Sequence, residues 1–434
     1  MSLTGEISRA SAANALGLVL VAMGQIVSIP VMVGAWGASG YGTWLMLATI
    51  PAYLALTDLG FLAASTSEMT ARAARGEKDG VRRLFNALAT LVATVAVAIN
   101  LIGGLALWAV TGAPWLADHV AVLHLLLLYS GLALISRVSL AVLRANGAYA
   151  VGTLTYDILT FAELMVTLLV VRAGGDYAEA CLVMIAGRLV NILVVHALLK
   201  HRVPWLALSL RAVSLAELGR LVKPALSGMA ISASLSIMLQ TSVLIIGAVL
   251  SPAAAAVFAT VRTVSRIPIQ CIGVVSRATM PSLASATALG SRERRQHLVH
   301  LNGFLVALIL LPSAAVLALF GSDVITWWTA GGIQPGKGFK AVMALGMVAH
   351  GGWSVAANLL MATNSHSGFA ALLVALTPLN ALLIFLGAAA AGLSGAGVAL
   401  AMAEAACLVA ALYAFQARPQ KRMPFSTIVP APGR

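Results

Sequence analysis

The sequence predicts an all-α polytopic membrane protein. Of its 434 residues, 60% are hydrophobic and only 9% are charged, whereas a water-soluble domain carries about 25% charged residues. The mean hydropathy is +0.97. Apolar stretches of about 20 residues, each long enough to cross a bilayer as a helix, recur along the whole chain. This composition excludes secreted scaffolds, nucleic-acid-binding proteins and ordinary cytosolic enzymes.

Twelve apolar stretches qualify as membrane spans. The first six are predicted at 10–34, 42–66, 84–111, 119–143, 151–172 and 178–199, and the second six at 223–249, 252–277, 300–322, 338–362, 368–391 and 395–416. Six spans, a basic segment and six further spans indicate two parallel six-helix repeats. We therefore expect an N-terminal lobe at 1–200, a cytoplasmic amphipathic linker at 201–222, a C-terminal lobe at 223–416 and a basic cytoplasmic tail at 417–434.

The linker is predicted to contain the start of a helix. Ser214 and Glu217 have the spacing of a capping box, in which each side chain binds a free backbone N–H at the helix N-terminus. Leu215, Leu218 and Val222 would then share one apolar face. We expect this helix to lie on the inner membrane surface.

The distribution of positive charge orients the spans. With the N-terminus inside, twenty of the 27 Lys and Arg residues fall in inner segments, and only Arg172, Lys337 and Lys340 fall in outer ones. The remaining four lie within spans: Arg137, Arg188, Arg262 and Arg266. Because cytoplasmic loops carry such an excess, both termini are predicted to be cytoplasmic. The net charge of +13 also favours contact with anionic phospholipids.

The eighth span carries the most informative polar face. Arg262, Arg266 and Gln270 repeat every four residues, so they share one side of a helix. Counting 1.5 Å per residue from Ser251 places Arg262 near mid-bilayer. Each charge there costs roughly 2.5–3.5 kcal/mol on insertion scales, which argues against a lipid-facing position. The face is therefore either an interlobe salt-bridge cluster or the wall of an anion-binding cavity.

Milder polar faces occur on the first and seventh spans. Gln240 continues a run of polar residues on span seven, and Gln25 is one of the few polar side chains of span one. Both positions fit the wall of a hydrated cavity. They fit hydrogen bonding between helices equally well.

Several ionisable residues lie within other spans. Glu163 of span five is level with about residue 186 of span six across their short outer turn, so Glu163 and Arg188 are predicted to pair. A proton or cation site at Glu163 or at the nearby Asp157 is the alternative. His350 and Glu404 have no charged neighbour in sequence; we expect packing roles for both, with ion coupling as the alternative.

Short motifs resemble the polysaccharide-transporter family. Tyr41-Gly42 follows span one, Asp58-Leu59-Gly60 lies near the end of span two, and Arg75-Gly76 lies in the first inner loop. The stretches 258–266 and 280–283 are similar to the matching region of the family's second half. These proteins are the O-antigen and capsule lipid-linked oligosaccharide flippases of the multidrug/oligosaccharidyl-lipid/polysaccharide exporter superfamily.

The resemblance implies a MATE-like fold, in which two lobes enclose a central cavity lined by spans one, two, seven and eight. Cationic residues in that cavity meet an anionic lipid diphosphate, a role that Arg262 and Arg266 match. Span one departs from the family pattern, because it offers Gln25 instead of a cation. The depths of Asp58 in span two and Arg266 in span eight suit a cytoplasmic gate in which the two side chains approach each other. The alternative is that Asp58 caps the local backbone near Gly60.

The predicted function is therefore ion-coupled alternating-access transport. The substrate would be an undecaprenyl-diphosphate-linked oligosaccharide, flipped from the inner to the outer leaflet of a bacterial inner membrane for surface polysaccharide assembly. H⁺ or Na⁺ would be the coupling ion, and a polysaccharide polymerase a partner; no cofactor, metal, nucleic acid or enzymatic activity is expected. The alternatives are a multidrug/organic-cation antiporter of the same fold and an integral-membrane glycan polymerase or ligase.

Overall fold

The protein is built from helices. A computed structural model describes residues 3–56, 60–109, 117–206, 215–288, 291–362 and 367–416, and every regular element within them is helical, which confirms the predicted class. Eight of these helical stretches are long and apolar enough to cross a membrane. In chain order the helices are α1 Leu3–Leu54, α2 Phe61–Ala74, α3 Lys78–Ala109, α4 Val120–Ala145, α5 Tyr149–Arg172, α6 Tyr177–Arg202, α7 Leu215–Val249, α8 Pro252–Ala288, α9 Arg292–Trp328, α10 Lys337–Ala362 and α11 Ser367–Gln416.

Two of the helices extend over more than one predicted span: α11 contains spans eleven and twelve, and α1 contains span one and the first part of span two. In α1 the backbone leaves the helical conformation at Gly37, where φ is 68° and ψ is 175°. In α11 it does so at Ala391 and Gly392, and Gly392 has a φ of 61°. Both breaks coincide with predicted outer turns. Glycine suits them because positive φ brings no steric cost to a residue without a Cβ.

Span two contains a break that the sequence analysis did not predict. Helix α1 ends at Leu54 and α2 begins at Phe61, inside the predicted span 42–66. Gly60 precedes α2 in a left-handed conformation with a φ of 75°. Its Cα also lies so close to the backbone carbonyl of Ala225 in α7 that any Cβ would crowd it. Interrupted helices occur in membranes where the irregular backbone is covered by protein or faces a cavity.

The chain folds into two compact units. The first comprises Met1–Thr260 with Val324–Gln334, and the second Val261–Asp323 with Pro335–Arg434. An apolar core in the first unit includes Met69, Leu84 and Leu143, all fully buried. A smaller core in the second unit joins α8, α9 and α10 through Ile272, Val306, Leu310 and Met347. The predicted lobe boundaries on either side of 201–222 remain a prediction.

The end of the linker is continuous with α7. Helix α7 begins at Leu215 and runs without a break into span seven. Leu218 and Leu221 are buried, and Leu221 joins the core of the first unit, whereas Val222 is exposed. The first turns of α7 therefore pack on protein and do not lie only on a membrane surface. Ser214, the expected cap, is outside the described residues.

An ion pair fixes this turn to α2 and α3. Arg72 Nη2 donates to Glu217 Oε2 at 2.7 Å, and Arg83 Nε lies 3.8 Å from Glu217 Oε1. The hydrogen bond from Arg72 lowers the pKa of the Glu217 carboxyl below its ordinary value. Glu217 thus binds the neighbouring helices α2 and α3. The predicted capping box of Ser214 and Glu217 stays a prediction. We call Arg72, Arg83 and Glu217 the linker clamp.

Close backbone contacts hold α1 against α7 and α8 within the first unit. A Cβ at Gly42 would overlap the backbone carbonyl of Pro252 at the start of α8. Tyr41 beside it is buried, and Tyr53 and Thr241 join α1 to α7 by a hydroxyl–hydroxyl hydrogen bond. The Tyr41-Gly42 motif therefore packs span two against the turn between spans seven and eight.

The turn between α5 and α6 is closed by its own side chains. Asp176 and Glu179 form a capping box at the start of α6. Trp36 Nε1 donates to the Gly175 carbonyl at 2.9 Å, and the Tyr177 hydroxyl donates to the Gly40 carbonyl at 2.8 Å. These bonds join the α5–α6 turn to the break in α1.

Candidate functional site

The predicted pair of Glu163 and Arg188 is confirmed. Arg188 Nη2 donates to Glu163 Oε1 at 2.9 Å, and the two side chains are only 3% and 5% exposed. The pair lies between α5 and α6. A Cβ on Gly187 would meet the Glu163 side chain at 2.6 Å, so glycine at this position lets the helices come close enough for the contact.

Three hydroxyl groups extend this buried network, while Glu163 Oε2 and Arg188 Nε have no hydrogen-bond partner among the described residues. Arg188 donates to Tyr129 at 2.9 Å and to Tyr156 at 3.2 Å, while Tyr129 donates to Glu163 Oε1 at 2.9 Å. Thr160 accepts a longer bond from Arg188. Tyr156 and Thr160 belong to the predicted polar face of span five. The contribution of Tyr129 was not predicted, because the sequence argument compared only the two helices joined by the α5–α6 turn. With every one of these bonds internal, the pair has the properties of a structural element.

Glu404 and His350, for which packing roles were expected, contact each other. His350 Nδ1 lies 3.0 Å from Glu404 Oε2, and Trp353 Nε1 donates to the same oxygen at 2.6 Å. Glu404 further interacts electrostatically with Arg266. The sequence shows His350 and Trp353 three residues apart on α10, yet it contains no signal that α11 supplies their acceptor.

The remaining predicted binding residues are divided between the two units. Arg262, Arg266 and Gln270 lie partly buried on α8 in the second unit, whereas Gln25 on α1 and Gln240 on α7 are partly buried in the first. Arg266 interacts electrostatically with Glu404 within the second unit, so this interaction is not the interlobe salt bridge of the first alternative. Asp58 lies outside the described residues, so the proposed gate between Asp58 and Arg266 stays a prediction.

The first unit contains a cavity of about 490 Å³ between α2, α4, α5 and α7. Arg137 and Arg144 of α4 line it, together with Asp157 of α5. Asp157 was a candidate from the sequence. Arg137 was noted only as an arginine within a span, and its spacing of seven residues from Arg144, which places both on one helical face, was the signal that was missed.

Asp157 is held on one side of this cavity. Its carboxylate lies directly against Gly17 of α1, where a Cβ would overlap it. It interacts electrostatically with Arg144, whose Nε donates to Thr153 Oγ1 at 3.1 Å. Throughout the described ranges, no group of three or more His, Cys, Asp or Glu side chains is placed to hold a metal ion.

Comparison with known proteins identifies the fold. No family model and no curated protein matches the chain. Among solved structures, a multidrug resistance MATE family transporter of the MOP superfamily in an inward-facing conformation aligns with a TM-score of 0.78 and 14% identity, over 91% of this chain and 94% of that one. A MOP superfamily transporter from Pyrococcus furiosus, described as having a binding pocket of reverse polarity, aligns with a TM-score of 0.62 and 16% identity over 94% of each chain.

A third structure, a MATE protein in the straight conformation, aligns with a TM-score of 0.58 and 15% identity, over 94% of this chain and 95% of that one. The chain therefore has the MATE-type fold, as expected from the resemblance. Its apolar helices and this fold make it a multi-pass membrane protein.

Proposed function

We propose that this protein is an alternating-access transporter of the polysaccharide-transporter type and not an enzyme. Its substrate would be an undecaprenyl-diphosphate-linked oligosaccharide, moved from the inner to the outer leaflet for O-antigen, capsule or exopolysaccharide assembly. The MATE-type fold supports transport. The motifs at 41–42, 58–60 and 75–76 support the choice of family.

The observation that carries the proposal is the pair of arginines on α8. Arg262 and Arg266 are one helical turn apart near mid-span, and both remain partly exposed. The carboxylate near Arg266 belongs to Glu404, which is shared with His350 and Trp353. Guanidinium groups bind phosphate oxygens in a bidentate way, so two arginines in successive turns suit a lipid diphosphate.

The remaining parts of the proposal follow from the charge pattern. The excess of Lys and Arg in alternate loops supports a bacterial inner-membrane location with both termini cytoplasmic, next to anionic phospholipids. H⁺ or Na⁺ is the proposed coupling ion. Asp157 is a better candidate for coupling than Glu163, because the hydrogen bond between Arg188 and Glu163 is buried and internal. Glu404 is the second candidate. A polysaccharide polymerase is the proposed partner.

The test is a complementation assay in a strain that lacks this gene. Arg262→Ala is expected to abolish glycan export and to leave lipid-linked glycan accumulating in the inner leaflet, at a normal protein level. Arg172→Ala is the matched control, since Arg172 is exposed at the end of α5. Undiminished export by Arg262→Ala would show that the α8 arginines have a structural role.

A multidrug antiporter is the second candidate, favoured by the TM-score of 0.78 to a multidrug resistance transporter. Such a protein would need a carboxylate for an organic cation. Glu163 and Glu404 already accept hydrogen bonds inside their own units. Raised resistance to cationic drugs on expression of this chain, together with normal surface glycan in the deletion strain, would favour the antiporter.

A further inference from the structure

The cavity of the first unit contains an arginine that the described side chains around it do not neutralise. Over the ranges that the structure describes, Arg137 makes no hydrogen bond and no ion pair, and it is exposed on the cavity wall. Arg144 differs, because it binds Thr153, lies 5.3 Å from the centre of the Tyr149 ring and interacts with Asp157. The described wall therefore has two cationic side chains and one carboxylate.

Arg137 lies within its predicted span, where a charged side chain is unfavourable. Arg144 is in the last turn of α4, and Arg137 lies seven residues earlier. Seven residues of helix rise about 10 Å and return to nearly the same face. Both guanidinium groups thus reach one cavity, and Arg137 is two turns farther into the span. A cation at such a depth is unfavourable unless an anion or water meets it.

The rest of the wall combines apolar and hydroxyl side chains. Leu140, Ala141 and Met229 are apolar, and Thr66 and Ser232 contribute hydroxyl groups. A volume of about 490 Å³ falls within the usual range for sites that bind small ligands. Arginine next to an apolar wall suits a ligand that has both a phosphate and a hydrocarbon chain.

We infer that this cavity binds the phosphate group of a membrane lipid. Arg137 provides the main contact through its paired N–H donors, and Arg144 provides a second cation two turns closer to the membrane surface. Asp157 remains with Arg144 and directs the anion towards Arg137. An organic cation is disfavoured, since it would face two guanidinium groups and a single carboxylate. The inference concerns binding alone and does not depend on whether the protein exports glycan.

Two lipids have the required chemistry, a glycerophospholipid and a polyprenyl phosphate. Native mass spectrometry of the full-length protein, titrated with phosphatidylglycerol or with undecaprenyl phosphate, measures each affinity. The tighter of the two identifies the source of the phosphate. Undecaprenol and diacylglycerol, which lack the phosphate, are the matched ligand controls and are expected to bind at least tenfold more weakly.

Variants assign the binding to this cavity. Arg137→Gln is expected to weaken binding of the tighter ligand about tenfold or more, as the loss of a charge-assisted contact predicts. Arg137→Lys, which keeps the charge, is expected to recover part of the affinity. Arg172→Gln, at the opposite end of the neighbouring helix, is expected to bind within twofold of the unmodified protein.

Either of two results would overturn the inference. Arg137→Gln could bind the tighter lipid as tightly as the unmodified protein, or undecaprenol and diacylglycerol could bind as tightly as their phosphorylated counterparts. If Arg137→Gln does not stay monodisperse, Arg137→Lys and the ligand controls still decide the question. Loss of export in Arg262→Ala with normal lipid binding would leave this inference intact.

Discussion

Removing one member of the buried pair of Glu163 and Arg188 is expected to destabilise the protein strongly. Glu163→Gln leaves the Arg188 guanidinium, only 3% exposed, without its carboxylate. In Arg188→Gln, the Tyr129 hydroxyl is the one side-chain donor left to the Glu163 carboxylate among the described residues. Each single change leaves an unpaired charge in an interior that cannot solvate it.

The magnitude follows from the contacts. Breaking a buried ion pair from one side costs about 3–5 kcal/mol, whereas replacing both partners by neutral groups is often close to neutral. The double variant still loses the bonds from Arg188 to Tyr129 and Tyr156, at about 0.5–1.5 kcal/mol each. We therefore expect the double variant to be no less stable than either single variant, with a coupling energy of about 3 kcal/mol or more.

The assay is thermal unfolding of the purified proteins in one detergent, read as loss of the monodisperse species. Arg202→Gln is the control, since Arg202 is exposed at the end of the same helix as Arg188 and its loss is expected to change stability by about 0.5 kcal/mol or less. Strictly additive losses in the double variant would refute the reasoning, because additivity would mean that the two charges do not stabilise each other.

Three further predictions concern other contacts. In the linker clamp, Glu217→Gln is expected to lower the free energy of unfolding by about 1.5–3 kcal/mol at pH 7. Because the pKa of Glu217 is lowered in the folded protein, this stabilisation is complete above about pH 5 and disappears as the pH falls through that pKa. Melting temperatures of wild type and variant that stay equally far apart down to about pH 3 would contradict this. Gly42→Ala is expected to lower the free energy of unfolding by about 1–3 kcal/mol, and with it the folded yield, because the new Cβ overlaps the Pro252 carbonyl. Gly219→Ala is the control: it has open space around it and is expected to be neutral or stabilising. Glu404→Leu is expected to destabilise by about 1–3 kcal/mol, since Trp353 Nε1 loses its acceptor, and Glu404→Gln by less, so equal melting temperatures of the two variants would argue against that hydrogen bond.

Contacts between adjacent helices were the part of the site that the sequence could predict. Glu163 and Arg188 lie 25 residues apart on helices joined by a short turn, so the helical rise alone places them at one depth. Glu404 and His350 are 54 residues apart. A helical break in α11 separates them, so their meeting depends on how α10 and α11 pack, which periodicity does not specify.

The break in span two and the lipid-phosphate cavity were missed for related reasons. Residues 55–60 include Thr57 and Asp58, but the hydropathy averaged over the span stays high and does not register a change in backbone conformation. The left-handed Gly60 is needed because α7 approaches closely, which is a tertiary cause. Likewise, Arg137 and Arg144 share a face by sequence, but only the packing of α2, α5 and α7 around them makes a cavity.

The short connection between α5 and α6 has a consequence for biogenesis. The two helices leave the ribosome one after the other, and their turn is closed by the capping box of Asp176 and Glu179. Inserted singly, each helix would bring an uncompensated charge into the membrane; inserted as a hairpin, they bring Glu163 and Arg188 in together as a neutral pair. The pair and the bonds that Tyr129 adds to it use only residues up to α6, so they can form before any later residue has been synthesised. We therefore expect a defect in either residue to act first at membrane insertion, before the protein has folded.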